Sequence, residues 1–264
     1  GHPLLQGLTM GGARLLLGRD LRDLSSGAAF RIMVAVFIVM ALAMAVGAAG
    51  LAAGIATAPD ASTRAGLSMP YGQLLYFGSV LPLLGFIWLF AGATLSREKA
   101  SGHLETLLAT PLEPRDILLA KTEAMVLPGL SMTGLALLLE LAAAGIASAS
   151  VAGPAHDAFA LVFPPALLAT CVVANPVLFA GLAALTVILA LRASPDAAIL
   201  PSFALGFGLM IAVPGGAAIG IVDLRSWGFA GLSFGLAAIE WGIVAGLARG
   251  LSKERIVLSS REDK

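Results

Sequence analysis

Charge is scarce in this chain, and cysteine scarcer still. Only 12% of the 264 residues are Asp, Glu, Lys or Arg, where ordinary soluble domains carry about 25%. The single cysteine, Cys171, excludes a disulfide framework and a thiolate metal cluster, each of which needs several, and reads as a small core hydrophobe. Histidine is nearly as rare, and His156-Asp157 alone is too sparse for a metal site. Sixteen basic residues balance sixteen acidic ones, so no basic excess points to nucleic acid. No Gly-x-x-x-x-Gly-Lys-Ser/Thr phosphate loop occurs anywhere. What fills the space is apolar: 58% of residues, with a mean hydropathy of +0.94. That composition excludes a disordered chain and a soluble domain, and implies an integral membrane protein.

A membrane helix needs about 20 apolar residues to cross roughly 30 Å of hydrocarbon. Six such runs lie between charges: Ile32 to Ala58, about Pro70 to Leu95, Ala124 to Ser150, between Asp157 and Arg192, between Asp196 and Asp223, and between Arg225 and Arg249. Turn chemistry separates them at Ala58-Pro59-Asp60, Gly153-Pro154 and Ser194-Pro195-Asp196. An even number of spans puts both termini on one side. Counted by side, fourteen of the sixteen Lys and Arg fall on the face that holds the termini, and only Arg64 and Arg225 on the other. The positive-inside rule makes the first face cytoplasmic. The expected fold is therefore all-α, one transmembrane domain over 1–264 in the inner or plasma membrane, with a tail at 250–264 inside and short outer loops.

The first 30 residues lack the short apolar segment and cleavage site of a signal peptide. From Arg14 to Ala28, Leu17, Leu21, Leu24 and Ala28 recur at helical spacing, with Arg14, Arg19, Arg22 and Asp23 on the polar side. That pattern predicts an amphipathic helix in the inner interface, the alternative being a solvated helical extension. The chain opens Gly1-His2-Pro3 rather than with Met, which leaves room for a non-native extension, Gly1 to about Thr9, ahead of Met10.

The longest polar loop, 96–121, reads as two short amphipathic helices around a Pro-bounded turn. Leu104, Leu107, Leu108 and Pro111 form the apolar side of the first, and Ile117, Leu118 and Leu119 open the second, which continues into the third span. Pro114 sits at a suitable first-turn position. A loop outside the membrane gains nothing from such leucines unless a partner surface or the interface helix covers them.

In this loop an acidic-basic cluster is followed by Gly-x-Leu-Glu-x-Leu-Leu-x-x-Pro-Leu and then an Arg-containing turn with Ile-Leu-Leu and Lys. The pattern resembles the cytoplasmic loop of type-2 ATP-binding-cassette (ABC) transporter permeases. Gly102, Leu104, Glu105, Leu107, Leu108, Pro111, Ile117, Leu118 and Lys121 match, while His103 stands where the family usually has Thr. The local match covers about 26 residues, and the six spans, interface helix and inside termini agree with it. The resemblance implies a permease subunit, an exporter in type, that pairs with a second permease copy or paralogue and with separate ATPase subunits that bind ATP and Mg. The chain itself then needs no cofactor and is not an enzyme. The segment Arg97 to Thr110 becomes the coupling helix that docks on the ATPase, with Arg97, Glu98, Lys99, Gly102, Leu104, Glu105, Leu107, Leu108 and Pro111 as its working residues.

Glu140 and Glu240 lie inside spans, where an ionised side chain costs several kcal/mol unless it faces protein or water. Either acid, with Asn175, is a candidate for the translocation pathway, and either can instead be neutral or hydrogen-bonded between helices. Asn175-Pro176 is expected to break the fourth span, and Pro82, Pro128, Pro164-Pro165, Pro201 and Pro214-Gly215-Gly216 to interrupt others. The spacings Gly50-x-x-x-Gly54, Gly216-x-x-x-Gly220, Gly231-x-x-x-Gly235 and Gly242-x-x-x-Gly246 suit close helix contact. Gly231-Leu232-Ser233-Phe234-Gly235 spells a nucleophile elbow but falls within a span rather than a strand-turn-helix, which argues against a hydrolase. Met33, Met40 and Met44 share a face of the first span and read as packing rather than a soft-metal path. The other class left open is an ion-gradient-driven transporter or channel using Glu140 and Glu240. It predicts internal repeats and paired broken helices, and no convincing repeat is present.

Overall fold

The computed structural model describes residues 3–91, 98, 101–110, 112–151, 162–192 and 195–252, with the side chains of 3–13, 104, 105, 108, 195–199, 201 and 202 outside that description. Among the described residues the secondary structure is helical throughout, without a strand. Helix α1 is Pro3–Ser26, α2 Ala28–Thr57, α3 Ala61–Phe90, α4 His103–Leu108, α5 Pro114–Val151, α6 Pro165–Arg192, α7 Pro195–Ala218 and α8 Trp227–Arg249. Five of them, α2, α3, α5, α6 and α8, are long and apolar enough to cross a membrane, as in a multi-pass membrane protein. The described apolar stretch of α7, Phe203–Ala218, is shorter.

Local chemistry explains most boundaries. The Ser25 and Ser26 hydroxyls donate back to the Arg22 and Asp23 carbonyls, ending α1, and Gly27 turns the chain in extended conformation into α2. Helix α3 begins nine residues before the expected Pro70. The Asp60 carboxylate accepts from the Thr63 amide at 2.7 Å and from the Ser62 and Thr63 hydroxyls, so a capped polar turn carrying Arg64 precedes the apolar run. Pro114 opens α5, which runs unbroken for 38 residues, about 57 Å. Helix α7 closes on Gly220, whose φ of +76° requires glycine, with the amides of Ile221 and Val222 donating to the Gly216 carbonyl. Ser226 caps α8 by accepting from the Phe229 amide at 3.1 Å.

Prolines do less damage than expected. Pro70, Pro82 and Pro128 lie inside continuous helices. At Asn175-Pro176 the helix does not break: Thr170–Ala174 forms one π-helical turn, and the Asn175 amide donates to the Thr170 carbonyl. The wider turn absorbs the residue whose ring would otherwise strike the preceding turn.

Helices α2, α3 and α5 pack as one group, and α7 and α8 flank α6 as another, with α3 and α5 touching α6 at the centre. Neighbours alternate in direction: Gly47 meets Leu74 and Gly54 meets Leu67 across α2 and α3, while Gly129 meets Leu83 across α5 and α3. The core between them is built from Tyr71, Leu75, Leu83, Phe90, Met125 and Phe179, all fully buried. The outer surfaces are apolar too. Ile32, Val39 and Val46 on α2, and Leu232, Ile239 and Ile243 on α8, are exposed, as lipid-facing side chains must be.

Candidate functional site

The loop end of the bundle holds the densest charge chemistry in the described residues. Lys121, on the second turn of α5, is 0% exposed. Its ammonium has three hydrogens and three carboxylate oxygens around it: Glu98 Oε1 at 2.7 Å, Glu98 Oε2 at 2.6 Å and Asp20 Oδ2 at 2.7 Å. Arg19 closes the cluster from α1, reaching Glu98 Oε1 at 3.1 Å and Asp20 Oδ1 at 3.0 Å. Two cations and two anions balance, which is the condition under which buried charge is tolerated. The result is a tie between α1, the segment leaving α3, and the start of α5. Below it, Leu16 and Leu24 bury the inner face of α1, with Leu17 and Leu21 packed alongside.

Helix α4 hangs from this tie. Gly102 has φ +73°, a conformation that explains the glycine of the loop pattern, and its carbonyl accepts from the Thr106 amide. The Ser101 hydroxyl and His103 Nδ1 are 2.6 Å apart, and Thr110 ends the helix by donating from both its amide and its hydroxyl to the Leu107 carbonyl. Leu107 is buried against the protein's own core. His103, Thr106 and Ala109 are exposed.

The expected coupling residues therefore part company. Glu98 is committed within the chain, Leu107 points inward, and Gly102 sets the turn. Arg97, Lys99 and Pro111 lie outside the described residues, as do the side chains of Leu104, Glu105 and Leu108. Sequence reasoning noticed Lys121 only as part of a pattern and missed Asp20 and Arg19 as its partners. The one available signal was an acid on an otherwise leucine-rich face of α1.

Within the spans, the structure sets Glu140 and Glu240 in separate places. Glu140, 0% exposed, lies against Gly78 of α3, where an added Cβ would stand 2.8 Å from Oε2. Glu240, 7% exposed, lies against Gly181 of α6 in the same manner, again 2.8 Å from its Oε2. Neither carboxyl has a hydrogen-bond partner among the described residues. Asn175 joins a third group: its amide donates to Ser79 Oγ at 2.7 Å, Ser79 donates to the Tyr76 carbonyl, and Thr133 reaches the Ser79 carbonyl at 3.4 Å. This links α6, α3 and α5 at mid-bundle. Of the four Gly-x-x-x-Gly spacings, Gly54 meets Leu67 of α3 and Gly216 meets Val222 in the turn after α7, while Gly50, Gly220, Gly231, Gly235, Gly242 and Gly246 face nothing within 4 Å; the other close approaches between helices include Gly47, Gly78, Gly85, Gly129, Gly181 and Gly206.

At the opposite end, a cleft of about 270 Å³ opens between α3 and the turn after α7, lined by Ser68, Met69, Gly72, Asp223, Leu224 and Arg225. No protein family, curated protein or solved structure matches this chain. The geometry alone bears on function. No group of three or more His, Cys, Asp and Glu side chains that could hold a metal ion is assembled among the described residues.

Proposed function

We propose that this chain is the permease subunit of an ATP-driven ABC transporter, an exporter in type, with six spans, both termini cytoplasmic and an ATPase on a separate polypeptide docking at the loop after α3. A second permease copy or paralogue completes the pathway. The observation that carries the reading is the loop itself: a short helix at the end of the bundle, anchored by Leu107 and preceded by Glu98, which pairs with Lys121 at the start of α5 and with Arg19 of α1. A lever built this way transmits a push into α1 and α5 together, as a two-state access switch requires. Helix α7 supplies the sixth span, since it runs antiparallel to α3, with Gln73 donating to the Pro214 carbonyl at one end and Trp88 against Phe203 at the other.

The docking face is the exposed side of α4. Replacing His103 and Thr106 with Asp leaves the ion cluster untouched and is expected to abolish co-purification of the ATPase while the chain still inserts and remains monodisperse. Retention of the ATPase by that double variant overturns the docking assignment.

A second reading, an ion-gradient-driven transporter, draws on the unpartnered carboxyls of Glu140 and Glu240. It is distinguished by transport that proceeds without ATP and is lost in Glu140→Gln or Glu240→Gln.

A further inference from the structure

Phe37, Met40 and Met44 of α2, Phe77 and Gly78 of α3 and Ala136 of α5 line a small cavity of about 10 Å³ inside the first helix group. That is room for one atom-sized guest and none for a hydrated ion, since a single water takes up about 30 Å³ in the liquid. The register of the helices decides what meets there. Gly47 meets Leu74 and Phe37 meets Gly85 across the antiparallel pair α2 and α3, so Met44 stands level with Gly78 and Met40 one turn nearer the start of α2. Glu140 reaches the same level from α5. It follows Ala136 by one turn, and its carboxyl presses on Gly78, with Oε2 2.8 Å from where a Cβ would stand. That carboxyl is wholly buried, and no described residue pairs with it. A carboxylate without a counter-charge is costly in hydrocarbon, so this place favours a cation or a proton.

The donors choose between cations. One carboxylate neutralises a monovalent ion and leaves a divalent one with uncompensated charge. A hard ion such as sodium binds through a shell of oxygens, whereas the walls beside this carboxyl offer thioethers, and thioether sulfur suits copper(I). Glu240 provides the contrast: it presses on Gly181 in the same way, but neither α6 nor α8 carries a methionine. The methionine face of α2, read from sequence as packing, is divided by the structure. The Met33 sulfur lies against Gly85, while Met40 and Met44 line the cavity beside the acid. We propose that Met40, Met44 and Glu140 form a binding site for a soft monovalent cation of the copper(I) and silver(I) class, with two thioether sulfurs and a carboxylate oxygen around the metal. Methionine's flexible side chain lets the sulfurs close on such a guest without moving the helices. The site belongs to this chain alone and stands or falls without an ATPase.

The test is titration of the purified full chain in detergent with silver(I), a redox-inert probe, followed by X-ray absorption at the silver edge. One tight equivalent is expected, bound by sulfur and oxygen. Met40→Leu with Met44→Leu, which keeps the volume, weakens it about tenfold or more, and so does Glu140→Gln. Met33→Leu and Cys171→Ser retain it. Absence of a tight equivalent in the unaltered chain leaves the acid to a proton and overturns the proposal, as does unchanged affinity in the site variants. Loss of the equivalent in Cys171→Ser overturns it by making the thiol the ligand, and displacement by millimolar sodium nitrate does so by making the site one for hard ions. If a site variant fails to fold, the absorption spectrum of the unaltered chain decides: a metal shell without sulfur overturns the assignment.

Discussion

Lys121 carries more of the molecule than any other single side chain. It is wholly buried, yet its charge is met by two carboxylates that come from positions 98 and 20 and never approach it in sequence. Removing one partner of a buried charge set costs about 3–5 kcal/mol, far more than the worth of an exposed pair. Lys121→Met is therefore expected to lower stability in detergent by about 3 kcal/mol or more, read from thermal unfolding. Combining it with Glu98→Gln should cost less than the sum of the two, because each removes the other's orphaned charge. Additive losses contradict the cluster. The remaining residue-scale surprise is the pair of acids packed on glycines. Glu140 and Glu240 were visible in the sequence as acids in apolar runs, but their glycine partners, Gly78 and Gly181, were not. A glycine's meaning depends on what stands opposite it, and only the packed bundle supplies that.

At the scale of elements, the helices were largely legible because hydrocarbon imposes length and composition on them. Pro114 opening α5 and the amphipathic α1 were read from local pattern alone. The start of α3 was not, because its first turns carry Arg64 and Ser62 and resemble a loop by hydropathy. Its cap has a pH signature. Hydrogen bonds from the Ser62 hydroxyl, then from the Thr63 amide and hydroxyl, hold the Asp60 carboxyl down to about 2. An unfolded aspartate titrates near ~3.9. The cap's contribution is thus full above that value and lost as pH falls toward 2. Asp60→Asn keeps a neutral cap, so the gap in melting midpoint between wild type and this variant should narrow as pH drops from about 4 to about 2. A gap that stays constant over that range contradicts the assignment. The π turn before Pro176 was equally hidden, since a proline in sequence announces a lost amide but not how the backbone accommodates it.

For the whole molecule, the two helix groups meet along α6, with the polar link of Ser79, Thr133 and Asn175, and where α7 packs on α3 through Gln73 and Trp88, while the ion cluster ties the loop end together. Such an arrangement suits relative motion of two groups driven from one end. The loop at 96–121 stood out in the sequence as a pattern of leucines and a glycine; that Leu107 turns inward and that His103, Thr106 and Ala109 turn outward required the tertiary fold, because an amphipathic six-residue helix does not state which face its own protein will cover. The central claim is that an ATPase on another polypeptide drives this chain. The most direct measurement is transport by the purified chain in proteoliposomes, with and without the ATPase that co-purifies with it. The account predicts movement of solute only when ATPase and ATP are both present. Movement by the chain alone down an ion gradient, with no ATPase bound, would contradict it.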